Sequence, residues 1–205
     1  MRRLVMGVGA LGALAVCCGS AAALNFTFQD VGGLPPSLVV GSSLTEAGQT
    51  MTFGVFTLNE GGQITTGTAR RVMSSGELPE PNFALELSNI SVVLPVPAEG
   101  LDGLVFHRSM GSGFIGLWVN DASALVPVGA LDGLTLGGVS FSDTSSGLRD
   151  PSQRRTVRVT GVVHSFAVGG SGMLIDNIVG MPAPSPGTAL MLSGPAVPVL
   201  LRRRR

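Results

Sequence analysis

The sequence predicts a single antiparallel β-sandwich, on three observations. From residue 24 to 180 the chain is rich in glycine, valine, leucine, serine and threonine. Turn residues punctuate it at short intervals, and several runs between them alternate apolar and polar residues with the period of two that puts one side of a strand on a core. No stretch carries a convincing amphipathic helix, and no repeat of about 20 to 50 residues is visible.

Ten strands are expected, at residues 25–28, 51–58, 63–72, 83–94, 103–106, 114–119, 134–141, 156–163, 165–168 and 173–178. In the fourth, Phe83, Leu85 and Leu87 point one way and Glu86 and Ser88 the other. In the eighth, Val157 and Val159 alternate with Thr156, Arg158 and Thr160; the phase then breaks between Gly161 and Ser165, which predicts a bulge or short turn before Phe166. The polar stretch 143–153, with Gly147 and Pro151, predicts a loop whose arginine, with Arg154 and Arg155, makes a solvated surface.

Both ends of the chain look like addresses. Residues 1–23 have the three parts of a secretory leader: basic Arg2 and Arg3, an apolar run over 4–16, and the small residues Gly-Ser-Ala-Ala-Ala, with cleavage by signal peptidase expected after Ala23. The apolar run is short of the roughly 20 residues that span a bilayer. Residues 181–205 form a separate tail, so the folded body is one domain over 24–180. A body of this size buries about 70% of the surface of its unfolded chain and needs no extra staple.

The formal net charge of zero hides a division between ends and body. Six of the 13 basic residues lie in the end segments, leaving the body seven arginines against 13 acidic residues. An acidic body with no basic stripe argues against a nucleic-acid partner. Both cysteines, Cys17 and Cys18, fall in the leader. The mature body therefore has no disulfide and no thiolate for nucleophilic or zinc chemistry.

The chemistry-bearing motifs are sparse. Gly111-Ser-Gly-Phe-Ile-Gly116 spells a dinucleotide-binding pattern, but the strand-like Leu117-Trp118-Val119 follows where a helix is required, so a tight hairpin turn is expected. His107 and His164 lie 57 residues apart with no nucleophile elbow beside them. Both are expected to be structural. The carboxylates are scattered and are read as surface acids; a glycosidase needs two only about 5 to 9.5 Å apart, a spacing the sequence does not report. No catalytic residue is assigned, and no cofactor. The one metal reading is a structural calcium, with Asp30, Asp176 and Asn177 as oxygen ligands; against it, Asp and Asn also cap turns and strand ends. Trp118, the only tryptophan in a chain without tyrosine, is the one ligand candidate, since an exposed ring face stacks on the apolar face of a sugar.

The tail reads Met181-Pro-Ala-Pro-Ser-Pro-Gly, an apolar segment over 188–201, then Arg202, Arg203, Arg204 and Arg205. This order resembles the PEP-CTERM sorting signal of bacterial surface proteins, in which a Pro-Glu-Pro-like motif precedes a membrane segment and a basic cluster. Pro184-Ser185-Pro186 stands in the motif's place. The resemblance implies recognition by an exosortase-like membrane protease, with transient membrane association through the tail and the arginines held on the cytoplasmic side. The apolar segment departs from the pattern: Pro195 and Pro198 interrupt it, and its 14 residues would make a helix of about 21 Å.

Within the body, Leu85-Glu-Leu-Ser-Asn-Ile-Ser-Val, Leu117-Trp-Val-Asn-Asp, Leu131-Asp-Gly-Leu-Thr-Leu-Gly-Gly-Val, Val159-Thr-Gly-Val-Val-His-Ser-Phe-Ala-Val-Gly-Gly and Leu174-Ile-Asp-Asn-Ile occur in order. Together they resemble a family of uncharacterised secreted bacterial proteins with a jelly-roll-like β-sandwich. That resemblance implies the fold and no activity. The expected function is that of an exported, non-catalytic protein of the cell surface or extracellular matrix. Two alternatives are a carbohydrate-binding module, with extracellular glycans as partners, and a secreted hydrolase.

Overall fold

The computed structural model describes residues 24–29, 37–57, 63–64, 67–73, 83–109, 113–145 and 154–183. In chain order the strands are β1 (Asn25–Phe26), β2 (Leu38–Val39), β3 (Ser43–Glu46), β4 (Gln49–Thr57), β5 (Gln63–Ile64), β6 (Thr68–Met73) and β7 (Phe83–Val93). There follow β8 (Leu101–Ser109), β9 (Phe114–Val119), β10 (Ala122–Pro127), β11 (Thr135–Leu136), β12 (Val139–Ser145), β13 (Arg154–Val163) and β14 (Phe166–Pro182). The only helical element among the described residues is a single 3-10 turn, Val128–Ala130. All strand pairs are antiparallel, so the protein is all-β, as the alternation predicts.

Two long strands, β7 and β14, pair with each other and belong to both layers of the sandwich. In the front layer the order is β10-β9-β14-β7-β4-β3, using Phe166 to Gly170 of β14 and Ile90 to Val93 of β7. In the back layer it is β11-β12-β13-β8-β14-β7-β6-β2, using the other parts of the same two strands. Near its end β14 exchanges β7 for β1, with Phe26 opposite Ile178.

One sheet can serve two layers because it is creased. The register between β14 and β7 shifts twice between Gly170 and Met173, and Gly172 (φ 81°) and Asn89 (φ 56°) both take positive φ there. Each inserted residue reverses the side-chain parity that follows it. Leu85 and Leu87 therefore face the core before the crease, and Ile90 and Val92 after it.

The third strand to meet the crease is interrupted. β8 ends with Ser109 opposite Leu174, and β9 runs on along the same edge of β14 with Ile115 opposite Gly170. β8 and β9 do not pair with each other. The hairpin expected at the glycine motif 111–116 is thus corrected: of its described part, Gly113 is a bend and Phe114 to Gly116 open β9, beyond the break between two successive strands on one edge.

The layers close on a single apolar core. Phe106 of β8 meets Phe166 of β14 with ring centroids 5.9 Å apart and planes at 58°, an edge-inclined contact between layers. At one end, the Asn120 side chain donates from Nδ2 to Gly137 O (2.6 Å) and Val162 O, and accepts at Oδ1 from His164 N (2.8 Å). Outside the back layer, Arg70 donates to its cross-strand neighbour Glu86; that hydrogen bond, then the carboxylate's charge, raises the Arg70 pKa above its ordinary value. An exposed pair of this kind adds little stability.

Several expected bounds move. The strands expected at 165–168 and 173–178 are one strand, β14, because the glycine-rich run between them bends without leaving the ladder. The strand expected at 134–141 is a tight hairpin, β11 and β12, and that at 63–72 is the two strands β5 and β6. β2, β3 and β10 were not expected. The bulge expected after Thr160 is present as a register shift between Thr160 and Val163.

Candidate functional site

The outer side of the front layer is built from very small residues. Because β9, β14, β7 and β4 are in register, Gly116, Gly169, Ser91 and Gly54 form a row across four strands. The next row is Trp118, Ala167, Val93 and Thr52. A Cβ added at Gly116 would lie 2.8 Å from Phe56 Cε2 and 2.8 Å from Trp118 Cη2, so both rings converge on the bare backbone of that glycine. At Gly169 the added atom would be 2.8 Å from Phe56 Cδ2. Phe56 therefore lies over the two glycines, fully buried, and the half-buried Trp118 lies along its own strand beside it.

Where Phe56 stops, the row stays open and leaves a groove of about 470 Å³. Its bed is Gly54, Ser91 and Ala167, its banks are Trp118 and Val93, and the turn at His164 and Ser165 lies at one end with Leu94-Pro95-Val96. This volume is in the range of small-ligand sites, about 300 to 1,000 Å³. Val93 is exposed, as is His164, while Ser91 is buried with its hydroxyl donating to Val55 O at 3.1 Å. Ser165 Oγ donates to Asn120 O at 3.0 Å. Among the described residues that line the groove there is no aspartate, glutamate, lysine or arginine.

The two histidines are not brought together. His164 lines the groove of the front layer, whereas His107 on β8 stands in the back layer between Thr156 of β13 and Asp176 of β14, its direct cross-strand neighbours. Of the calcium candidates, Asp176 and Asn177 are engaged with each other. Asp176 is fully buried; its Oδ1 accepts from Asn177 N at 2.7 Å and its Oδ2 from Asn177 Nδ2 at 3.2 Å. Asn177 has φ 48° and sits in the bulge between Asp176 and Val179, the backbone-capping use of Asx residues. Among the described residues no three His, Cys, Asp or Glu side chains cluster as a metal site would require. Asp30, Ala23, Pro184, Ser185, Pro186 and the four terminal arginines lie outside the described residues.

A buried ionic cluster was not foreseen. Arg108, Arg155 and Asp143 face the core from β8, β13 and β12, where Arg108 and Arg155 are cross-strand neighbours. Arg108 is fully buried; it donates to Asp143 and, at 3.0 Å, to Val128 O. Arg155 Nε lies 2.9 Å from the other oxygen of Asp143. This corrects the solvated surface expected for Arg155 and the loop expected at Asp143. The only sequence signal was the core parity of Phe141, Asp143, Val157 and Arg155, and reading it required knowing which strands pair.

A second carboxylate secures the start of the body. Glu46, 7% exposed on β3, accepts from Thr27 N at 3.1 Å, Thr27 Oγ1 at 2.9 Å and Phe28 N at 3.0 Å. Compared with protein-family models, with curated proteins and with solved structures, the chain matches none.

Proposed function

We propose that the protein is an exported, non-catalytic β-sandwich of the cell surface or extracellular matrix, handled by signal peptidase and an exosortase-like protease. The observation that carries this reading is the closure of the body at its two junctions. Leu24, the residue after the expected cleavage site, is fully buried, and its carbonyl accepts from Gly180 N at 2.8 Å. The first and last strands thus meet beside the two expected junctions, which suits a domain trimmed at both ends.

The carboxylates with defined partners also support a structural rather than catalytic role: Glu46 holds the N-terminal segment, Asp143 holds two arginines, and Asp176 holds Asn177. The carbohydrate-binding reading has separate support in Trp118, which lines an open groove.

Intact-mass spectrometry of protein recovered from the medium and membranes of its native host, with and without the exosortase-like enzyme, tests the reading. The expected result is loss of residues 1–23 in both strains and loss of the tetra-arginine tail only where the enzyme is present. A tail retained in both strains overturns the sorting reading.

A further inference from the structure

We propose that the groove beside Trp118 is a binding site for a neutral pyranose unit of a glycan, stacked on the indole. The inference goes beyond export and does not depend on it.

Three features define the ligand. The first is shape. Trp118 and Val93 are two strands apart, about 10 Å at the usual strand spacing, with only the methyl group of Ala167 between them. The groove thus has an aromatic bank, an aliphatic bank and a bed that lets a ring approach the backbone. Gly116 fixes the indole, because any side chain there would displace it.

The second feature is charge. With no arginine or lysine among the described residues of the lining, a phosphate, sulfate or uronate group would be partly desolvated without a fixed counter-ion. The ligand is therefore neutral.

The third is hydrogen bonding. A serine hydroxyl has one proton and two lone pairs. Ser91 and Ser165 each give that proton to a backbone carbonyl, Val55 O and Asn120 O. Their oxygens can then only accept, so the ligand must present donors. His164, exposed at the end of the groove, adds its ring nitrogens. A molecule with an apolar C–H face, hydroxyl donors at its edge and no charge is a neutral pyranose.

The chain's single tryptophan makes the test direct, since all tryptophan emission reports on this groove. Purified full-length protein is titrated with maltohexaose, cellohexaose and xylohexaose, with emission and calorimetry followed together, and with an oligogalacturonate of similar length as the anionic comparison. The expected result is saturable binding of at least one neutral oligosaccharide, with a shift in emission and weaker or no binding of the anionic one. Trp118→Ala should weaken binding by about tenfold or more, as loss of an aromatic anchor does. His164→Ala and Val93→Glu alter exposed positions, so they test the site even if Trp118→Ala does not fold; each should weaken binding severalfold. Absence of saturable binding, equal affinity for the oligogalacturonate, or neutral-sugar binding unchanged in the folded variants each overturns the proposal.

Discussion

The backbone N–H of Gly180 donates to the carbonyl of Leu24 at 2.8 Å, so Leu24, just ahead of β1, is fastened to β14. Phe26, the next inward-facing residue, is fully buried with Ile178 as its cross-strand neighbour. The two-residue strand β1 is therefore held by its apolar side chains more than by its ladder. Phe26→Ala is expected to cost about 3 to 5 kcal/mol, the range for phenylalanine truncation in a core. Asn25→Ala, at an exposed position, should change stability by less than about 0.5 kcal/mol. Urea unfolding of the two variants checks the contrast.

Glu46 should be the second anchor of the same segment. Its carboxylate receives three hydrogen bonds from Thr27 and Phe28, two of them from backbone N–H groups. Glu46→Ala leaves those donors without their acceptor. Since one hydrogen bond to a charged group contributes about 1.5 to 3 kcal/mol, the expected loss is about 3 kcal/mol. Glu46→Gln keeps one acceptor oxygen and should lose about half as much. Chemical denaturation of both variants measures the ratio, and equal losses would show that the charge, not the acceptor geometry, matters.

In the buried cluster the two ways of breaking the ion pair should differ. Asp143→Ala leaves the guanidinium of Arg108, which is fully buried, without its counter-charge, at an expected cost of about 3 to 5 kcal/mol. Arg108→Met removes the buried charge itself while Arg155 remains to neutralise Asp143, so its cost should be clearly smaller. Unfolding free energies that reverse this order would show Arg108 to be a net stabiliser of the core.

Much of this fold was legible from the sequence because its strands alternate. Phe114–Val119 has the bounds expected from its pattern, and Val157 and Val159 face the core as expected. What escaped was local structure whose cause lies in another strand. The run Gly169-Gly170-Ser171-Gly172 has the composition of a turn, yet it stays paired to β7 through two register shifts. β10 is an edge strand in which Val126 alone is buried, and it shows no alternation to read.

The site divides in the same way. Trp118 could be singled out by its rarity, but the opposite bank, Val93, and the bed at Gly54 and Ala167 come from strands distant in sequence. Only the register brings them beside it. Arg155 looks like a surface residue in the sequence for the same reason, since its partner Asp143 is supplied by the pairing of β12 with β13.

The small-residue row makes one further expectation specific. At Gly169 an added methyl would meet Phe56 Cδ2 at 2.8 Å, Ile90 O at 2.9 Å and Ser91 Cα at 3.0 Å, two of them backbone atoms that cannot step aside. At Gly54 the one close neighbour is the side-chain atom Ser91 Oγ at 2.9 Å, while Val93 Cγ2 at 3.6 Å is in ordinary contact, so no backbone atom has to shift. Gly169→Ala should therefore cost about 1 to 3 kcal/mol as an overpacked contact, and Gly54→Ala clearly less. The same pair reports on the groove, because Gly54 lies in its bed while Gly169 lies beneath Phe56. Gly54→Ala should make the groove shallower and leave the fold intact, so sugar binding would fall without a matching fall in stability. Thermal unfolding and calorimetric titration on the two variants separate these effects; if Gly169→Ala proved the milder substitution, Phe56 would not be packed as tightly over the glycines as the geometry requires.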